Sequence, residues 1–165
     1  MNKSLPTTES PDSEKPEEHS PAITSIYTAQ CSSASGRSTL SFSVGRHERD
    51  GSLHLAITGN SGSGKWCKDW ASAKAIEGVV LGQGELTAHS FQALHPGRSI
   101  NTGGFYLAAL KDLGLIRANA ENTRLHEHIP SVTFEAVVAE RLRKLDGTAA
   151  AVTSGRPGRR KTKEV

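Results

Sequence analysis

Hydrophobic residues alternate with polar ones in two stretches near the middle of the chain. Leu40, Phe42 and Val44 take every second position in 39–45, and Leu53, Leu55 and Ile57 do so in 52–58. Such alternation puts one strand face on a core and the other in water. The connector ends in Asp50-Gly51, a tight-turn signal, so the pair predicts an antiparallel hairpin over 39–58. A strand near Ile23 to Ala29 is only weakly patterned. From residue 71 the period becomes helical, with Ala75, Ile76, Val79 and Val80 on one side. A helix over 87–94 stops before Pro96, which cannot continue it. A third helix is expected from Asn101 to Leu113, with Phe105, Ala109 and Leu113 in one stripe and Gly114 suited to a left-handed C-cap. Residues 115–116 and 125–129 read as a short two-stranded ribbon with 118–123 as its tip. A last helix over 131–145 takes Ser131 or Thr133 as N-cap and buries Phe134, Val137, Val138, Leu142 and Leu145.

From Leu86 to His128 the order is short helix, tight connector, longer helix, then ribbon. That order resembles a winged helix-turn-helix domain. The resemblance implies double-stranded DNA as partner, with the helix after the connector facing the major groove. At its start lie Arg98, Ser99, Asn101 and Thr102, with Tyr106 one turn on. Arginine can pair with phosphate or guanine, and asparagine can bond an adenine edge twice. Gly103 and Gly104 flatten the helix surface for a close partner, although each costs about 1 kcal/mol of helix stability relative to alanine. In the wing, Arg117, Asn119 and Arg124 are the candidates for backbone or minor-groove contact. The expected fold class is α+β: an N-terminal antiparallel hairpin followed by a small winged-helix-like unit over 72–130, with disordered tails.

Composition places the tails. Over 165 residues the hydrophobic fraction is 35% and the aromatic fraction 5%, low for a chain folded throughout. Residues 1–22, rich in Pro, Ser, Thr and Glu, read as a disordered acidic leader, and 147–165 as a disordered basic tail. Between them 23–146 forms one domain. The net charge of +3 is distributed unevenly. The leader holds two basic and five acidic groups, 23–140 ten of each, and 141–165 eight basic against two acidic. A positive end suits a polyanionic partner. Ser154 to Lys163 resembles half of an AT-hook: Gly155-Arg156-Pro157 matches its core, and Ser154 replaces the arginine expected before the glycine. Arg159, Arg160, Lys161 and Lys163 add counterion-release affinity for any nucleic acid. A nonspecific polycationic end fits the same residues.

A second signal points elsewhere. Gly59, Gly64 and Lys65, with Gly62 between them, fit the spacing of a phosphate-binding loop. Trp66 stands where such loops place the Ser or Thr that binds Mg²⁺, and the preceding strand alternates rather than being apolar throughout. Trp66 and Trp70, interleaved with Lys65 and Lys68, suit either stacking on bases or anchoring the core. Cys31 and Cys67 have no metal-ligand spacing, and Cys67 has no evident partner base. His126 and His128 share one side of a strand but lack further ligands at a recognised spacing, so they read as solvated wing residues. No nucleophile elbow is present. The expectation is therefore no catalytic residue, no metal and no cofactor.

With no apolar run in the leader and no bilayer-length segment, the chain reads as cytoplasmic. The layout resembles small proteins of bacterial mobile elements. Three functions follow in order: a DNA-binding or accessory regulatory protein, a protein-protein interaction module, and a nucleotide-binding protein using Lys65. The sequence does not set the oligomeric state.

Overall fold

The structure, a computed structural model, describes residues 22–152. Among the described residues the fold is mixed α+β, with a four-stranded antiparallel sheet, a two-stranded ribbon and four helices. The strands β1 (Ile23–Ser32), β2 (Thr39–His47), β3 (Leu53–Asn60) and β4 (Ala71–Ser72) lie in that order across the sheet. The predicted hairpin is its centre. Phe42 pairs with Ile57 and Val44 with Leu55, all fully buried. Gly51 closes the turn at φ +70° and Asp50 Oδ1 accepts from Ser52 N at 2.9 Å. The weakly patterned segment forms β1, at ten residues the longest strand. A bulge between Ser25 and Tyr27 shifts its alternation, because the extra residue breaks period two.

Helix α1 (Ala73–Gly82) starts at Ser72, whose Oγ accepts from Ala75 N at 3.2 Å. Such a cap stabilises a helix by about 1 kcal/mol. The expected second helix divides into α2 (Ala88–Phe91) and one 3-10 turn over Gln92–Leu94. Helix α3 (Asn101–Leu113) has the bounds read from sequence and ends on Gly114 at φ +93°. The ribbon strands β5 (Ile116–Ala118) and β6 (His126–His128) pair antiparallel, and Leu86 bridges to His126 on the other side of β6. Helix α4 (Phe134–Val152) runs seven residues beyond the expected end. Residues 147–152 are therefore helix rather than tail, and the Ala149–Ala151 run explains this, alanine being the best helix former. Thr133, not Ser131, caps α4, its Oγ1 accepting from Ala136 N at 3.2 Å. Leu145 lies outside the expected buried stripe, 53% exposed. The leader 1–21 and the tail 153–165 lie outside the described residues.

One core joins the sheet to the helical unit. Tyr106, Phe42, Phe91, Phe134, Leu86 and Leu115 are all fully buried. Helix α3 sits in the middle, packed against β1 and β2 as well as α2, β5 and α4. Eight of its thirteen residues are buried. At Gly103 an added Cβ would collide with the carbonyl oxygen of Ala88 on α2, whereas one on Gly104 would meet Ala88 Cβ at 3.7 Å, an ordinary contact. The two adjacent glycines therefore make opposite predictions. Gly103→Ala overpacks a backbone contact and should lower unfolding free energy by about 1–3 kcal/mol. Gly104→Ala gains helix propensity and should raise it by roughly 0.5–1 kcal/mol. Urea denaturation of both variants checks the pair.

Candidate nucleic-acid interface

The helix expected to meet DNA is covered. Along the side of α3 that carries Asn101, Phe105, Ala108 and Asp112, only Asn101 is exposed; Phe105 and Asp112 are half-buried and Ala108 is buried. Phe105 packs against Trp66, ring centroids 6.2 Å apart. Leu107, Ala108 and Lys111 line a cleft of about 550 Å³ shared with Cys31 and with Thr123 and His126 of the ribbon. The glycines that flatten the helix do admit a close partner, but for Gly103 that partner is α2 of the same chain.

The predicted residues at its start separate into two groups. Arg98 is exposed, its Nη2 3.3 Å from Asp69 Oδ2. Ser99 Oγ and Asn101 Nδ2 both donate to the Lys65 carbonyl, at 2.6 and 3.1 Å. Thr102 and Tyr106 are fully buried and do not face a duplex, which corrects the expectation for both. Thr102 Oγ1 accepts from Cys67 N at 2.9 Å. Tyr106 Oη donates to the Leu55 carbonyl at 2.9 Å and lies 3.3 Å from the Asp69 carbonyl. His95 Nε2 lies 3.0 Å from the same oxygen. Carbonyls only accept, so the phenol proton points to them and the His95 Nε2–H donates to Tyr106 Oη. Burial, with Cys67 and Asp69 beside it, pushes the Tyr106 phenol well above its ordinary value, so it stays protonated.

The phosphate-loop signal takes a different form from the one its spacing suggests. Strand β3 runs antiparallel to both β2 and β4, and among the described residues no strands pair in parallel. After Lys65 the chain continues to β4, and the next helix begins only at Ala73. Gly59, Gly62, Gly64 and Lys65 thus lack the strand-loop-helix context in which backbone N–H groups cradle phosphate. The loop is held instead by Asn60, whose Nδ2 donates to the Gly64 carbonyl at 3.1 Å and whose Oδ1 accepts from Gly62 N at 3.0 Å. Trp66 and Trp70 act as anchors. Trp66 Nε1 donates to the Ile57 carbonyl at 2.9 Å, and the Trp70 ring covers Gly45.

In the ribbon, Arg117 Nε donates to Glu127 Oε1 at 2.8 Å and Asn119 Nδ2 to Glu127 Oε2 at 3.2 Å. Asn119 Oδ1 also accepts from Glu121 N and Asn122 N, so both residues organise the tip. Residues 120–124 are exposed, and among the described residues Arg124 forms no ion pair. Arg156, Arg159, Arg160, Lys161 and Lys163 lie outside the described residues. Of the ribbon histidines His126 is buried rather than solvated, and His128, half-buried, has its Nε2 2.6 Å from the Val132 carbonyl.

One grouping had no local signal in the sequence. Cys67, Asp69 and His95 converge where the β3–β4 loop meets the turn before α3, with one ligand atom of each within 4.8 Å of the other two. Twenty-eight positions separate Cys67 from His95, so no spacing rule reaches across them. Among the described residues no helix is long and apolar enough to cross a membrane.

Burial, and then Lys111, push the His126 imidazole below its ordinary value. The unfolded chain therefore binds the extra proton first as pH falls below about 6.5, and stability drops with it. The wild type should melt at lower temperature at pH 5 than at pH 7.5, and His126→Gln should show a smaller difference. In comparisons with family models, curated proteins and solved structures, this chain finds no match.

Proposed function

We propose that this chain is a DNA-associating accessory protein that meets the duplex through its ribbon and its basic C-terminal end rather than through α3. The observation that carries the reading is the strand arrangement around β6. Leu86, between α1 and α2, bridges one side of β6, and β5, which follows α3, pairs with the other; that element order resembles a winged helix. In such a unit the ribbon is the wing, and here its tip presents Arg124 to solvent. The helix that would read bases is covered by the sheet, so sequence-independent phosphate contact is the mode that remains accessible. The C-terminal 25 residues add a balance of +6. No catalytic residue is required by this reading.

A second reading, a protein-protein interaction module, is favoured by β1. It is an edge strand whose sequence ITSIYTAQCS holds no charge and no proline, two of the devices that blunt an edge, although its bulge at Ser25–Tyr27 is a third.

Fluorescence anisotropy with random and A·T-rich duplexes over a salt series separates the two. DNA association predicts log-linear loss of affinity with salt. Arg124→Ala should reduce the slope by about 0.9, and removal of residues 154–165 should reduce it by several times that. Absence of binding at low salt, together with self-association or partner capture through β1, would favour the second reading.

A further inference from the structure

We infer that Cys67, Asp69 and His95 form a binding site for a single divalent transition ion of the zinc class. The three side chains bring one sulfur, one carboxylate oxygen and one imidazole nitrogen to within 4.8 Å of each other. Tetrahedral coordination at bond lengths of about 2.0–2.3 Å places ligand atoms roughly 3.4–3.6 Å apart. Cys67 Sγ and Asp69 Oδ2 are already 3.3 Å apart, so the site closes by moving His95 and these two together by about an ångström. Cys67 and His95 are buried and Asp69 is exposed, which gives the ion an entry side.

The surroundings hold the ligands as a metal site needs. Thr102 Oγ1 fixes the backbone of Cys67 at 2.9 Å, and Tyr106 Oη lies 3.3 Å from the carbonyl of Asp69. The same phenol accepts the His95 Nε2–H at 3.0 Å, leaving the Nδ1 lone pair for a ligand. A ligating histidine characteristically donates its other N–H in this way, which fixes its tautomer. Arg98 Nη2 lies 3.3 Å from Asp69 Oδ2, and Lys68 stands over the Trp66 ring. Arg98 is thus a cation in direct contact with a ligand side chain. Thr102 and Tyr106 are one helical turn apart on α3, so one rigid face positions all three ligands. A thiol and an imidazole favour zinc-class ions over Mg²⁺ or Ca²⁺. On binding, the Cys67 S–H proton leaves to solvent and a metal–thiolate bond forms, with no change of oxidation state. Three protein ligands leave the fourth position to water.

Co²⁺ titration of the untagged full chain is the test, because thiolate-to-cobalt charge transfer absorbs in the near ultraviolet only when sulfur is bound. The expected result is a band that saturates at one equivalent, disappears on adding Zn²⁺, survives Cys31→Ser and is lost in Cys67→Ser. His95→Gln should weaken Co²⁺ affinity by at least about tenfold. A measurement on the wild type makes the test independent of variant folding: Zn²⁺ should slow native-state alkylation of Cys67 and leave Cys31 unchanged, read by peptide mapping. No charge-transfer band, a band that persists in Cys67→Ser, or equal alkylation of Cys67 with and without Zn²⁺ overturns the site.

Discussion

The phenolic oxygen of Tyr106 touches three segments that are far apart in the chain: Leu55 in the sheet, Asp69 in the loop that leaves it, and His95 in the turn before α3. The oxygen is fully enclosed. A buried hydroxyl without partners would cost roughly 1–3 kcal/mol. With three partners it fixes how the sheet sits on the helical unit. The rest of the arrangement follows from that seat. Sheet and loop lie over the side of α3 that a winged helix-turn-helix would present, and the loop brings Cys67 and Asp69 against His95. The same contact thus withdraws one surface from solvent and assembles another group of side chains beneath it.

Much of this architecture was legible in the sequence. The apolar spacing from Asn101 to Leu113 and the glycine after it gave α3 its limits, because both the stripe and the left-handed cap are local. Leu40, Phe42 and Val44 against Leu53, Leu55 and Ile57 gave the central hairpin for the same reason. Strand β1 was faint because it lies at the sheet edge and its bulge at Ser25–Tyr27 shifts the alternation. Residues 147–165 read as tail from their composition, yet the alanines at 149–151 continue α4 to Val152.

The site was less legible, and the cause is specific. Thr102 and Tyr106 share a helix face with Ala109 and Leu113, a spacing compatible with core, but both read as facing DNA. Their hydroxyls suggested a polar surface. Only a partner from elsewhere in the chain can satisfy a buried hydroxyl, and helical periodicity does not reveal Cys67 N or the Leu55 carbonyl as that partner. Ser99 and Asn101 misled in the same way, since the carbonyl of Lys65 takes their donors. Chemistry that depends on tertiary contact between distant loops, as at Cys67, Asp69 and His95, leaves no periodic trace.

Sheet and helical unit form one cooperative body seated on Tyr106. Native-state hydrogen exchange on the wild type and on Tyr106→Phe tests it most directly. Amides of β2–β3 and of α3 should open with a common free energy, and the substitution should lower both by the same amount. Protection lost from α3 alone, with the sheet unchanged, would contradict it.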